Sequence, residues 1–271
     1  MTPVTLTIAG SDSSAGAGLQ ADLKTFQHFQ TYGLTVATCV VSETPEVVRA
    51  VHPIPPPVLQ DQLTLLLDAY PVAAIKTGML LSKPHVVAVS EILADHTGIP
   101  LVVDPVMIAT SGASLLEDDA IEAYRTRLLP SATLITPNLD EASVLVGSEL
   151  HDEADMEAAA RKLASDFGTA VLLKGGHLES AVCADLLCEG QELRWFRAPR
   201  IETPASHGTG CTLSAAITAN LALGHELPET VERAKQYLNQ TLAHALTLGT
   251  HHHLNQGTNT SIGTWNLELG P

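Results

Sequence analysis

The sequence predicts an α/β fold: a mainly parallel central sheet with helices on both faces. Three observations lead there. Runs rich in β-formers alternate with runs of helical period along nearly the whole chain, which calls for right-handed β-α-β units. Apolar residues make up 45% of the chain and aromatic residues only 4%, so the core must be built from Ala, Val, Leu and Ile, as in parallel sheets covered by helices. Polar and glycine-rich segments recur just after the strand runs, which points to one ligand site along the carboxyl edge of the sheet. No linker of disordered composition and no repeat period interrupts residues 1–271, so the chain reads as a single domain.

Val4–Ile8 is the first strand, ending in Ala9 and Gly10. A loop of small residues follows, Ser11-Asp12-Ser13-Ser14-Ala15-Gly16-Ala17-Gly18, and then Leu19, Leu23, Phe26 and Phe29 mark one face of a helix. The strand, glycine loop, helix order is that of a dinucleotide fingerprint, but the G-x-G-x-x-G spacing is absent. Small residues here would equally let a compact ligand sit above the strand end. Thr35–Val41 is the second strand, followed by Ser42-Glu43-Thr44-Pro45 and a proline-rich passage through Pro57. Glu43 is either a solvated turn carboxylate or a ligand-reading group.

Val58–Ala69 reads as helix and Val72–Lys76 as strand, with Thr77-Gly78-Met79 at its end. Pro84–His96 is helical. Pro100–Val103 is a buried strand running into Asp104-Pro105-Val106-Met107, and an Asp there is placed for a ligand or a metal. Ser111 and Gly112 open a loop before an amphipathic helix, Leu116–Leu129. Thr133–Ile135 is strand, and Asn138 or Asp140 can cap the helix after it. Helix Ala154–Phe167 and strand Ala170–Leu173 lead to Lys174-Gly175-Gly176-His177, where the lysine suits either a phosphate or plain solvent. Ala181–Leu187 and Glu192–Ala198 form a hairpin turning at Glu189 and Gly190. The last helix runs from about Glu229 to Leu248. His251, His252 and His253 are consecutive, cannot share a helix face, and read as a polar tail turn.

The chain is organised around Ser206-His207-Gly208-Thr209-Gly210-Cys211-Thr212, which feeds the apolar run Leu213–Leu223, closed by Gly224. That run is nearly apolar all round, so its helix belongs inside the protein. A glycine turn at a helix start aims unpaired backbone N–H groups and positive dipole at one spot, where an anion can approach closely. Cys211 shares that terminus, where a thiolate is favoured. The plainer reading is an ordinary turn and a small buried side chain.

Net charge is −16, which argues against nucleic acid and anionic membranes but not against a small phosphorylated ligand. Cys39, Cys183, Cys188 and Cys211 have no metal or disulfide-framework spacing, so free thiols in a reducing cytoplasm are expected. The first residues lack a charged-then-apolar leader, and no apolar run approaches about 18 residues. Together the segments supply an anion cradle, a lysine, acids near strand ends and a small-residue pocket, which are the parts of phosphoryl transfer. The Walker loop and the protein-kinase signatures are absent.

The residues Leu6–Thr25, Lys76–Met79, Val103–Met107, Thr136–Asn138, Leu173–His177 and His207–Ala215 carry a family resemblance. The chain resembles the hydroxymethylpyrimidine/phosphomethylpyrimidine kinases of thiamine biosynthesis, within the ribokinase-like superfamily, from the first strand to about Leu248. The resemblance implies a three-layer ribokinase-like sandwich that uses ATP and Mg²⁺ to phosphorylate 4-amino-5-hydroxymethyl-2-methylpyrimidine and then its monophosphate. By position it makes Cys211 the base and Gly208, Thr209 and Gly210 the anion hole. It gives Asp104 and Glu141 to Mg²⁺ through water, and Lys174, Asn138 and Thr209 to ATP. Gly10, Asp22, Glu43, Met79 and Val106 would line the pyrimidine pocket, and a homodimer is implied.

Two departures stand out. The family pattern after the second strand is Gln-Asn-Thr, where this chain has Glu43-Thr44-Pro45; an ionised Glu only accepts hydrogen bonds. The family's Ala-Lys-Ser-Gly loop reads Ala109-Thr110-Ser111-Gly112, without the positive charge. A pyridoxal kinase of the same branch is the nearest rival, and a non-catalytic pyrimidine or vitamin binder the next. A Cys/His hydrolase using Cys211 and His207 is disfavoured, because adjacent residues at a helix start rarely face each other and no orienting acid is evident.

Overall fold

The computed structural model describes residues 2–107, 118–176 and 181–257. Along the chain come β1 (Val4–Asp12), α1 (Gly18–His28), β2 (Tyr32–Thr44), β3 (Val47–Pro53), α2 (Pro56–Ala69), β4 (Val72–Thr77), α3 (Lys83–Leu93) and β5 (Leu101–Val103). Next are α4 (Asp118–Ala123), β6 (Leu134–Ile135), α5 (Leu139–Val146), α6 (Glu153–Phe167), β7 (Ala170–Leu173), β8 (Val182–Glu189) and β9 (Glu192–Pro199). The chain then forms α7 (Thr209–Ala222), α8 (Leu227–Ala243), β10 (Leu246–Leu248) and β11 (His251–His253). The main sheet has the order β3-β2-β1-β4-β5-β6-β7-β8-β9. From β2 to β7 its neighbours are parallel; β3 at one edge and β8-β9 at the other are antiparallel.

Helices cover both faces, giving three layers. Leu59 and Leu63 of α2, Val86 and Val89 of α3, Leu145 of α5 and Leu163 of α6 pack into one core. Leu213 and Ile217 of α7, with Val231 and Tyr237 of α8, form the core on the other face, and Phe26 of α1 joins Ala215 and Ala219 beside it. Aliphatic side chains dominate both, as the low aromatic content requires. Every residue of α7 from Thr212 to Asn220 is buried, because α1, α8 and the sheet enclose a helix of small and apolar residues, most of whose few polar side chains bond within the helix or to Asp104.

The topology positions the site. The chain leaves β1 for β2 on one side and for β4 on the other, so strand order reverses between β1 and β4. Ligands of open parallel sheets bind at the carboxyl ends beside such a reversal. Helix α7 packs against β1, β4 and β5, which brings its N-terminus to that place.

Three expectations change. The proline-rich passage holds a strand: Val47, Val48 and Val51 favour extended backbone, and β3 pairs antiparallel with β2 at the open edge, where Pro53 costs no ladder bond. The last helix ends at Ala243, not Leu248; β10 and β11 form a hairpin around Gly249, whose φ of 63° suits the turn. His251–His253 is therefore a strand and not a tail turn. The helix after residue 118 changes to π-helical backbone at Tyr124–Leu128. Leu116, His177 and the loop 109–112 with Thr110, Ser111 and Gly112 lie outside the described residues. No described helix is long and apolar enough to cross a membrane.

Candidate active site

Helix α7 starts one residue past Gly208, which has a φ of 84° and no side-chain cap. A Cβ on Gly208 would lie 2.0 Å from the Gly16 carbonyl oxygen, so only glycine lets this turn sit on the β1–α1 loop. A Cβ on Gly210 would meet Lys174 Nζ at 3.3 Å and Asp104 Oδ2 at 3.6 Å. The first-turn amides of α7, which have no intrahelical acceptors, thus open beside a lysine and an aspartate from the ends of β7 and β5.

Asp104 is almost fully buried. Its Oδ1 accepts from Lys174 Nζ at 3.0 Å and from Thr136 Oγ1 at 3.2 Å, and its Oδ2 accepts from Ser214 Oγ at 3.2 Å. Burial pushes its carboxyl up, but Lys174, Lys76 and these hydrogen bonds hold it below the usual carboxylate range. Glu141 is pushed up to about 7, first by burial and then by the Asp104 charge, with Lys174 opposing. Asn138 and Glu141 form a capping box: Asn138 Oδ1 accepts from the Glu141 N–H and Glu141 Oε2 accepts from the Asn138 N–H, both at 2.8 Å. Asn138, not Asp140, is therefore the cap, and its Nδ2 takes no part in it.

Below the α7 terminus, Lys76 of β4 is fully buried and donates to Asp22 Oδ2 at 2.9 Å; Thr7 Oγ1 donates to the same oxygen at 2.6 Å. Burial works against the Lys76 charge, but Asp22, Cys211 and Asp104 keep it protonated. Asp22 was expected to line the pyrimidine pocket. It is instead fully buried, because residues 19, 22 and 26 form the inward stripe of α1. Its Oδ1 has no hydrogen-bond partner.

Cys211 stands between the Lys76–Asp22 pair and Asp104, and the Gly18 N–H donates to its sulfur. The expected thiolate is not found. Burial pushes this thiol up to about 11 and the Asp22 and Asp104 charges add to it, against the pull of Lys76. Helix-terminus stabilisation is a local effect; enclosure by α1 and the sheet outweighs it.

At the end of β1, a Cβ on Gly10 would lie 2.8 Å from Cys39 Sγ and 2.9 Å from Met79 Cε, so a larger residue there would push on both side chains. Met79 and Val106 are half-buried at the edge of the same region. Beyond it a second charged cluster appears. Asp12 accepts from the Ser14 N–H at 2.6 Å, the Gly16 N–H at 3.0 Å and the Ala17 N–H at 2.8 Å, and pairs with His207 Nε2 at 2.9 Å. Burial raises Asp12, but His207 and these donors bring it well below the usual carboxylate range; His207 is raised in turn by Asp12 despite its burial. Glu43 completes the group: one ligand-type atom from each of Asp12, Glu43 and His207 lies within 4.8 Å of the others. Ser13 Oγ fixes Glu43 by donating to its carbonyl and accepting from its N–H, both at 2.8 Å.

The structure thus brings Gly208, Thr209, Gly210, Cys211, Lys174, Asp104, Glu141 and Asn138 to one sheet edge, with Gly10, Met79, Val106 and Glu43 alongside. Sequence reasoning missed Lys76, Asp12 and His207. Asp12-Ser13-Ser14 carried the signal of an Asx turn, but nothing local pairs Asp12 with a histidine 195 positions away. His207 does have an orienting acid, and it is held by Asp12 rather than set against the thiol. The C-terminal hairpin closes over this side: Gln256 Nε2 donates to the Gly16 carbonyl and the Thr212 hydroxyl, and His251 pairs with Glu46 at 2.8 Å.

A family model described as phosphomethylpyrimidine kinase matches residues 12–256. A hydroxymethylpyrimidine/phosphomethylpyrimidine kinase of Streptomyces coelicolor is 43% identical over 247 residues, covering 91% of each chain. A bifunctional thiamine biosynthesis protein of Geobacter sulfurreducens is 42% identical over 91% of this chain, which spans only 50% of that longer protein. The solved structure of a Staphylococcus aureus pyridoxal kinase with AMP-PCP and pyridoxal is similar at a TM-score of 0.88 and 35% identity, over 97% of this chain and 96% of that one.

Proposed function

The chain belongs to the phosphomethylpyrimidine kinase family, and from that premise we propose that it is an ATP-dependent kinase of thiamine biosynthesis. It transfers the γ-phosphoryl group to the primary alcohol of 4-amino-5-hydroxymethyl-2-methylpyrimidine, and then phosphorylates the monophosphate. The observation that carries this reading is the approach of Lys174 and Asp104 to Gly210, one residue from Cys211, at the open end of α7.

Each residue then has a role. The amides of Gly208, Thr209 and Gly210 receive the transferring phosphoryl oxygens on a turn fixed against Gly16, the Thr209 N–H giving up its long 3.4 Å bond to the Ser206 carbonyl. Lys174 neutralises phosphate charge, and Asn138 offers the Nδ2 that its cap leaves over. Cys211 accepts the proton of the attacking hydroxyl. It rests as a thiol, so its own proton must pass to solvent before the acceptor binds, and the Lys76 ammonium beside it favours that loss.

Asp104 and Glu141 fit a Mg²⁺ ion held through water. They offer oxygen donors only, and Glu141 is raised partly because the Asp104 carboxylate opposes its charge, a repulsion a divalent cation relieves. When bound, the ion supplies charge neutralisation between the phosphates. Gly10, Met79, Val106 and Glu43 bind the pyrimidine, while Asp22 acts from beneath through Lys76. Residues 1–271 work as one domain, in the cytoplasm and as a homodimer.

A second reading, pyridoxal phosphorylation, is favoured by the likeness to the Staphylococcus aureus enzyme. Measuring ADP release with the hydroxymethylpyrimidine, its phosphate and pyridoxal side by side separates the two. The first two should turn over fastest; pyridoxal alone turning over, or none, would refute the proposed function.

A further inference from the structure

The turn that carries Lys174 is tied down by an ion pair between β8 and α8. Strand β7 stays in register with β8 up to Leu173, opposite Leu186. Beyond that point the chain keeps to the β6 side: the Lys174 N–H donates to the Pro137 carbonyl at 2.9 Å, and Asn138 bridges to Lys174. The next amide is caught by a side chain. The Gly175 N–H donates to Asp185 Oδ1 of β8 at 3.0 Å. A Cβ on Gly175 would lie 2.0 Å from the Ala184 carbonyl oxygen, so only glycine lets the turn come this close to β8. Arg200 then donates to the Gly176 carbonyl at 3.0 Å.

The other oxygen of Asp185 accepts from Lys235 Nζ of α8, and both side chains are almost fully buried. Such a pair is a weak source of stability, because two apolar side chains of similar volume pack as well without the desolvation cost. What an apolar pair could not do is accept the Gly175 N–H. An ionised acceptor holds an amide about twice as strongly as a neutral one, and Lys235 balances the charge that this acceptor brings inside.

We propose that Asp185 is a positioning residue for nucleotide binding: with Lys235 as its counter-charge it fixes the Lys174-Gly175 turn, so that the Lys174 ammonium stands against Asp104 and beside Gly210 before the nucleotide arrives. The inference rests on the phosphate-binding role given to Lys174 above. Asp185 acts through the Gly175 amide and the side chain next to it, and not by contact with the nucleotide.

The test is equilibrium binding of AMP-PCP with Mg²⁺ to wild type, K174A, D185L/K235M and the triple variant. D185L/K235M removes the Gly175 acceptor without leaving Lys235 buried and unpaired, so it should unfold in urea close to the wild type. It should nonetheless bind AMP-PCP about 10–100-fold more weakly, as a misplaced binding group does. In the K174A background the same two changes should alter affinity by less than about twofold, because the lysine they position is gone. D185N/K235Q keeps an oxygen for the Gly175 N–H and should recover most of the affinity. If the apolar pair does not fold, D185A takes its place in the same cycle. Losses that multiply in the cycle, wild-type affinity without the acceptor, or no recovery in D185N/K235Q each overturn the inference while leaving the kinase reading intact. No binding of AMP-PCP by the wild type overturns the kinase reading, and the inference with it.

Discussion

Two charged clusters flank the start of α7, and they are built on opposite terms. On the phosphate side, Asp104 with Lys174 and Asp22 with Lys76 form direct pairs at 3.0 and 2.9 Å, acid against lysine, so their charge is fixed. On the other side, Asp12 and Glu43 share a single histidine, His207, and burial with the Asp12 charge pushes Glu43 up to about 7. The difference follows the chemistry each side must meet. A triphosphate is polyanionic at every physiological pH, and a fixed field suits it. An aminopyrimidine presents a donor and an acceptor side by side, and a group that can gain a proton suits that.

The contrast predicts where damage will be structural and where functional. Lys76→Met should have the largest effect on folding, since it takes from the buried Asp22 carboxyl, which burial already pushes up, the cation that opposes that push; a loss of about 3–5 kcal/mol in urea unfolding is expected. Adding Asp22→Leu should recover most of it, and a double variant no more stable than the single would break the fixed-pair picture. Lys174→Ala should act on the nucleotide: loss of one charge-assisted contact, worth about 1.5–3 kcal/mol, should raise the ATP KM about 10–100-fold and leave pyrimidine binding nearly unaltered. Equal weakening of both substrates would merge the two clusters into one. The smallest effect belongs to Asn138. Removing the α5 cap with Asn138→Ala should cost about 1 kcal/mol, whereas Asn138→Asp keeps the cap and should lower only ATP affinity, by equilibrium binding.

The same contrast explains what could be read in advance. Layer order, parallel strands and the α7 turn were legible because each rests on local signals: aliphatic periodicity, a glycine before an apolar run, Asn138 three residues ahead of Glu141. Strand β3 was not, since every residue of Val47–Pro53 is exposed and its valines alternate with nothing buried. Nor was the β10–β11 hairpin, whose first strand, Leu246–Leu248, reads as one more turn of α8. The buried position of Asp22 is implicit in its helical spacing from Leu19 and Phe26, but its lysine lies 54 positions away. The thiolate expectation failed for the same reason: a helix start is visible in sequence, while the walls that enclose Cys211 come from α1, β4 and β5.

Cys211 stands among Lys76, Asp22 and Asp104, and the nature of the acceptor tests its role. A primary alcohol must lose a proton during transfer; a phosphate monoester, already ionised near neutrality, has none to lose. In Cys211→Ala, ADP release with hydroxymethylpyrimidine should fall about 10²–10⁴-fold while ATP binding persists and the monophosphate is spared most of that loss. Undiminished phosphorylation of the alcohol by Cys211→Ala would contradict the assignment of the sulfur as proton acceptor.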